Sequence, residues 1–204
     1  GINLPPQNPC DMVTMNKVND ARDRVLSKDE YDRLIEVCEV QDKAPQIQKY
    51  KSDQLRIVTD IVKFAYQTGA RQGEILKLKR DDIDFNNKTC TFKDTKNEED
   101  RTIPLADETL TLLKKHLFGA NVFMSNGSRL RKWFRVACRK AKIKDFRFHD
   151  LRACFCTNAL LSGMSIAEVS SISGHKDWSQ LKRYTRIKPA DLLVKINNVV
   201  KLRG

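Results

Sequence analysis

The sequence predicts an α+β fold that is mainly α-helical, with one small three-stranded antiparallel sheet. Apolar residues recur at three- and four-residue intervals on both sides of a short central stretch. Within that stretch, from residue 82 to 104, they alternate instead, as strands require. The length of 204 residues suits one large domain whose core needs no disulfide or metal staples.

Residues 1–24 are polar and carry three prolines, so they read as a linker or the remnant of an interdomain segment. Ser27 and Glu30 have capping-box spacing and start a helix whose inner stripe is Tyr31, Leu34, Ile35 and Cys38. A second helix is expected from Ser52 or Asp53 through Leu55, Val58, Ile61, Val62 and Ala65, closed by a left-handed Gly69. A short helical turn follows over residues 71–76. Three strands are predicted at Ile83-Asp84-Phe85, Thr89-Cys90-Thr91-Phe92 and Arg101-Thr102-Ile103. Asn86-Asn87 makes the first turn and residues 94–100 the second.

Helical patterning resumes over 107–117 and again over 128–142, where Leu130, Trp133, Phe134, Ala137 and Cys138 share one face. Shorter helices, broken at Gly163 and Gly174, complete the domain. A terminal helix is expected after Pro189, with Leu192, Leu193, Ile196, Val199 and Val200 on one stripe.

Charged residues form 31% of the chain and the mean hydropathy is −0.54. No apolar run approaches the ~18 residues of a membrane span, and the first residues have no signal-peptide pattern. A cytoplasmic protein is expected. The six cysteines show no CxxC pair and read as reduced, mostly buried thiols; no spacing supports a metal site.

The formal net charge is +12, and its distribution is lopsided. Residues 1–120 hold 20 basic and 21 acidic side chains, whereas residues 121–204 hold 18 and 5. A one-sided field of this kind points to a polyanion, with nucleic acid the leading candidate. From Ser128 to Arg147 nine basic residues accompany a single acid, Asp145. A merely solvated face intersperses both signs. Arg129, Arg131, Lys132, Arg135, Arg139 and Lys140 are therefore candidate phosphate contacts.

Two short motifs lie in the same basic third. In His149-Asp150-Leu151-Arg152 the imidazole and guanidinium are three residues apart, on one side of a helical turn. Gly174-His175 is followed by Tyr184, itself set between basic residues. Singly, each motif is an ordinary structural feature. Together they bring two of the three histidines, a guanidinium and a phenol to one phosphate-seeking region.

In order and spacing, Thr68-Gly69-Ala70-Arg71-Gln72-Gly73-Glu74-Ile75, His149-Asp150-Leu151-Arg152, Ser173-Gly174-His175 and Tyr184 resemble the two boxes of the tyrosine recombinases. These are the phage integrases and Xer-type enzymes, and the likeness runs from about residue 25 to 190. It implies a catalytic set of Arg71, Lys96, His149, Arg152, His175 and Tyr184, supported by Glu74. Lys96 is assigned from its place in the hairpin turn, and Lys93 is the competing candidate.

The resemblance further implies strand transfer through a 3′-phosphotyrosyl bond, without metal, ATP or other cofactor. Arg71 and Arg152 would clamp the phosphate, His149 would move protons and His175 would hydrogen-bond the phosphate. Lys96 would protonate the leaving 5′ oxygen. The implied partners are double-stranded DNA attachment sites and, on them, a homotetramer whose free protomers are monomers or weak oligomers. Residues 25–188 would form the catalytic domain of a longer bacterial or phage protein, and residues 189–204 a tail docking on a neighbouring protomer. Two alternatives stand beside this reading: relaxation of the type IB topoisomerase kind, and a non-catalytic DNA-binding module.

Overall fold

The computed structural model describes residues 24–42, 56–93, 100–117 and 119–184. It confirms a mainly helical fold with a three-stranded antiparallel sheet. The expected linker over residues 1–23, the start of the second helix, Lys96 and the terminal helix lie outside the described residues.

Helix α1 (Lys28–Asp42) opens with the expected capping box. The Ser27 amide donates to Glu30 at 3.0 Å and the Glu30 amide to Ser27 Oγ at 3.2 Å. Helix α2 (Arg56–Thr68) is the centre of the domain, and Ile57, Val58, Ile61, Val62, Phe64 and Ala65 are all buried along it. It packs against α1 on one side and α6 (Asp150–Leu161) on another. Gly69 ends it at φ 65°, as expected. Helix α3 (Gln72–Lys77) begins one residue later than predicted, because Arg71 is extended and serves as its N-cap.

The sheet is a meander of β1 (Ile83–Asp84), β2 (Thr89–Phe92) and β3 (Arg101–Pro104) in the order β1-β2-β3. Cys90 pairs with Ile83 and with Ile103, and these three share the buried face with Phe92. Phe85 leaves the strand that was expected to include it. The Asp84 carboxylate accepts from the amides of Asn86 and Asn87, each at 2.9 Å, and that local bond turns the chain at once. Phe64 ties sheet to helices: its ring lies edge-on to Phe92 at 6.5 Å and tilted on Phe123 at 5.5 Å.

Helix α4 (Asp107–Lys114) stops short of residue 117, where the amides of Lys115 and His116 fold back onto Leu112 and Leu113. Helix α5 (Gly127–Lys140) starts one residue earlier than predicted, because Asn126 caps it by accepting from the Arg129 amide at 2.8 Å. It ends before residue 142, which turns left-handed at φ 57°. Helix α7 (Ile166–Ser173) follows α6 and packs on β3. A 3₁₀ helix (Trp178–Tyr184) packs on α6 and α7. The five described cysteines are unbridged and buried, as expected.

Gly69 joins α2 to the loop ahead of α3, and a Cβ there would collide with the Phe155 ring besides carrying a left-handed φ. Backbone strain and overpacking together cost about 3 kcal/mol. Gly69→Ala is therefore expected to lower stability by about that amount in urea denaturation.

Candidate active site

The start of α3 and strand β3 meet at one buried carboxylate. Glu74 is 7% exposed, and its side chain bends back over the helix start. Its Oε2 accepts from the Arg71 amide at 2.8 Å and its Oε1 from Arg71 Nη1 at 2.8 Å. From β3, Arg101 donates to the same carboxylate, Nη2 to Oε2 at 2.8 Å and Nη1 to Oε1 at 3.2 Å. Burial alone would raise the pKa of Glu74; the Arg101 fork and the Arg71 contacts outweigh it and hold the carboxyl below its ordinary value. Arg71 then reaches the far side with Nη2, which donates to the Gly174 carbonyl at 3.0 Å. Gly174 stands at φ 73°, and a Cβ there would strike the Arg101 guanidinium.

Arg152, 5% exposed, rises from the first turn of α6 into the same region. Its Nη1 donates to the Gly69 carbonyl at 2.9 Å and also to the Ser173 carbonyl. Its Nη2 lies 3.2 Å from both ring nitrogens of His175. The side chain thus pins the ends of α2 and α7 to α6. Burial and then Arg71 push its pKa down to about 10, which leaves it cationic at neutral pH. Arg71 and Arg152 each carry five N–H groups, so both retain donors beyond these contacts.

His149 is the N-cap of α6, and it stays exposed while Arg152 is buried. Its backbone is nevertheless helical (φ −65°, ψ −24°), and the Arg152 amide donates to the His149 carbonyl at 3.1 Å, so the two residues are one turn apart as expected. Surrounding atoms and then the Arg152 charge lower the His149 pKa below 6.5, so its neutral form prevails at neutral pH. Tyr184 ends the 3₁₀ helix and packs on a small cluster of Cys156, Ala159, Val169 and Leu181. That cluster draws on α6 and α7, the helices that supply Arg152 and lead into His175. Lys93, the competing hairpin lysine, is paired with the buried Asp82 at 2.6 Å. Lys96 is outside the described residues.

The basic helix α5 buries Leu130, Phe134, Ala137 and Cys138 and exposes Arg129, Arg131, Lys132, Arg135, Arg139 and Lys140. It is moored to the site at its start, where Gln72 Nε2 donates to the Gly127 carbonyl at 3.2 Å. At its far end Arg33 Nε donates to the Ala141 carbonyl at 3.3 Å. Among the described residues no three His, Cys, Asp or Glu side chains gather as a metal site, and no helix is long and apolar enough to cross a membrane.

The phage integrase family model matches residues 24–190 of this sequence. The chain belongs to the phage integrase family. It is 31% identical to the shufflon-specific DNA recombinase of Escherichia coli, over 93% of this chain and 47% of that protein. It is 32% identical to tyrosine recombinase XerA of Saccharolobus solfataricus, over 65% of this chain and 46% of the other. The chain thus spans about half the length of these relatives. In fold it resembles the catalytic domain of bacteriophage HP1 integrase, with a TM-score of 0.64, 23% identity, and coverage of 85% and 93%. It also resembles XerA recombinase, with a TM-score of 0.63, 24% identity, and coverage of 86% and 64%.

For a phage integrase family domain, the arrangement offers two cationic forks, one neutral imidazole and a second imidazole around the ends of α2, α6 and α7. Such a site can hold a phosphate group and move a proton beside it. Arg101 and Ser173 are the site residues that sequence reasoning passed over. Arg101 counted only as a strand residue, and Ser173 only as the neighbour of Gly174. The one signal available for Arg101 was a basic residue opening a strand that otherwise alternates toward the core.

Glu74 tests this construction. Its lowered pKa means that the carboxylate contributes stability above the unfolded value, near 4.5, and that this is lost as pH falls through the folded one. Glu74→Gln leaves two guanidiniums facing a neutral amide, a loss of about 3 kcal/mol at neutral pH. Stability of the two proteins is expected to converge as pH drops below 4.5 in urea denaturation followed by circular dichroism.

Proposed function

We propose that residues 25–188 form the catalytic domain of a site-specific DNA recombinase that cuts and rejoins DNA through a 3′-phosphotyrosyl bond. The observation that carries the reading is the joining of Arg71 and Arg152 through the carbonyls of Gly69, Ser173 and Gly174, beside His175. Two fixed guanidiniums in a largely buried setting meet the charge that gathers on non-bridging phosphate oxygens during displacement. Tyr184 is the nucleophile. A neutral phenol is a poor nucleophile, so Tyr184 loses its proton to His149 as the oxygen attacks phosphorus.

The bond to the 5′ oxygen then breaks, and Lys96 protonates that oxygen. His175 hydrogen-bonds the phosphate throughout. Because the phosphotyrosine keeps the energy of the broken diester, attack by a second 5′-hydroxyl restores the backbone without metal or ATP. Two duplex attachment sites and four protomers make up the working assembly, from free chains that are monomers or weak oligomers. Residues 189–204 dock on a neighbouring protomer.

Covalent capture tests the reading. Incubated with a labelled library of random-sequence duplexes, the wild-type chain is expected to yield a protein–DNA adduct resistant to denaturant, and Tyr184→Phe none. Arg71→Ala and Arg152→Ala should keep most DNA affinity yet lose adduct formation by about 10³-fold, since few groups meet the transition-state charge and many meet ground-state phosphates. Adduct from Tyr184→Phe at the wild-type rate refutes the assignment. With its pKa held below 6.5, His149 should impose an acidic limb below that pH on the capture rate, absent in His149→Ala.

The exposed cations of α5 supply affinity without sequence readout. Replacing Arg131, Arg135 and Arg139 together by Gln should reduce binding to unrelated duplexes alike. The slope of log affinity against log salt should fall by about 0.9 for each phosphate that the variant no longer neutralises.

A further inference from the structure

Ser173, the last residue of α7, stands at the centre of a hydrogen-bond junction beneath His175. Its Oγ lies 2.6 Å from the Val169 carbonyl oxygen and 2.7 Å from His175 Nδ1. Contacts this short each need a hydrogen between the heavy atoms. A hydroxyl has one proton and a carbonyl has none, so the Ser173 proton points to Val169. The proton toward His175 must then come from the imidazole itself, as Nδ1–H.

We infer that Ser173 is a positioning residue that locks neutral His175 as the Nδ1–H tautomer, so that His175 takes up a proton at Nε2 when a phosphate group enters the site. Arg152 Nη2 lies 3.2 Å from both ring nitrogens, and with Nδ1 protonated only the Nε2 lone pair can accept from it. Before a phosphate group enters, Arg152 therefore donates to a neutral ring. A phosphate oxygen at the same place accepts hydrogen bonds only, and a lone pair at Nε2 would repel it. Arg152 turns its N–H to the phosphate, Nε2 gains a proton from solvent, and the imidazolium donates to the anion.

Arg152, which touches His175, itself lies within electrostatic reach of Arg71, Arg101, Glu74 and Cys156. The cations among them oppose a second positive charge until an anion arrives. This inference rests on the proposed recombinase reading for the identity of the anion, but its first test needs neither DNA nor cleavage.

Nitrogen-15 correlation spectra of the imidazoles decide it, since the chain has three histidines. In wild-type protein at neutral pH, His175 is expected to show Nδ1 protonated and Nε2 bare. Ser173→Ala should abolish that preference, while His116, paired with Asp60 at 2.7 Å, keeps its signal and reports an intact fold. A wild-type Nε2–H tautomer overturns the inference, and that spectrum suffices if Ser173→Ala does not fold. So does an unchanged tautomer in a folded Ser173→Ala.

Sulfate, a dianion that does not titrate near neutral pH, then tests the coupling. Saturating sulfate should protonate His175 Nε2 in the wild-type spectrum. Sulfate affinity should fall about tenfold per pH unit over the range in which that proton is lost. A bare Nε2 in the sulfate complex, or the same slope in His175→Asn, refutes the proton uptake. Failure of Tyr184 capture with the tautomer confirmed would count against the recombinase reading alone.

Discussion

The Glu74 carboxylate holds the site together because it is a buried anion with cations on two sides. Left alone, a carboxylate in this setting would shed its charge or remain in water. Here Arg71 reaches it from the preceding residues and Arg101 from β3, and the fork from Arg101 makes both oxygens acceptors. The pair joins the start of α3 to the sheet. It also fixes where the Arg71 guanidinium can go, since Nη1 is held by Glu74 and Nη2 turns to Gly174. Remove the carboxylate, and two guanidiniums lose the charge that keeps them in place.

A second layer of constraint comes from backbone carbonyls. Helix ends leave carbonyl oxygens without intrahelical partners, and here cationic side chains collect three of them. Arg152 takes those of Gly69 and Ser173, and Arg71 takes that of Gly174. The same bonds that finish α2 and α7 therefore aim the cations. This explains the two left-handed glycines at the site. Gly69 and Gly174 each turn the chain at a helix end where a side chain would meet Phe155 or Arg101. Stability and function share these contacts, so the site is stiff by construction.

Much of this was legible in one dimension. The capping box at Ser27 and Glu30, the alternation that marks the sheet, and the apolar stripe of α5 follow from local rules, and the structure reproduces them. The spacing of Arg71, His149, Arg152, His175 and Tyr184 carried the family resemblance before any contact was known. Boundaries shifted where a side chain competes with the backbone. Asp84 turns the chain and takes Phe85 out of its strand, and Asn126 starts α5 a residue early. Local hydrogen bonds of this kind move an element's end by one residue, which periodicity does not register.

The class of fold, the concentration of positive charge after residue 120, and the residue types available for phosphate chemistry were all readable along the chain. Each depends on local spacing or on composition. Only the tertiary structure decided which groups meet. Arg101 lies 27 positions from Glu74, and Arg152 lies 83 positions from Gly69. It also decided that Lys93 pairs with Asp82, and that the Ser173 hydroxyl meets the Nδ1 edge of His175. The physical reason is that a buried charge takes whatever partner the packing brings within about 3 Å, and packing sums contacts from the whole chain.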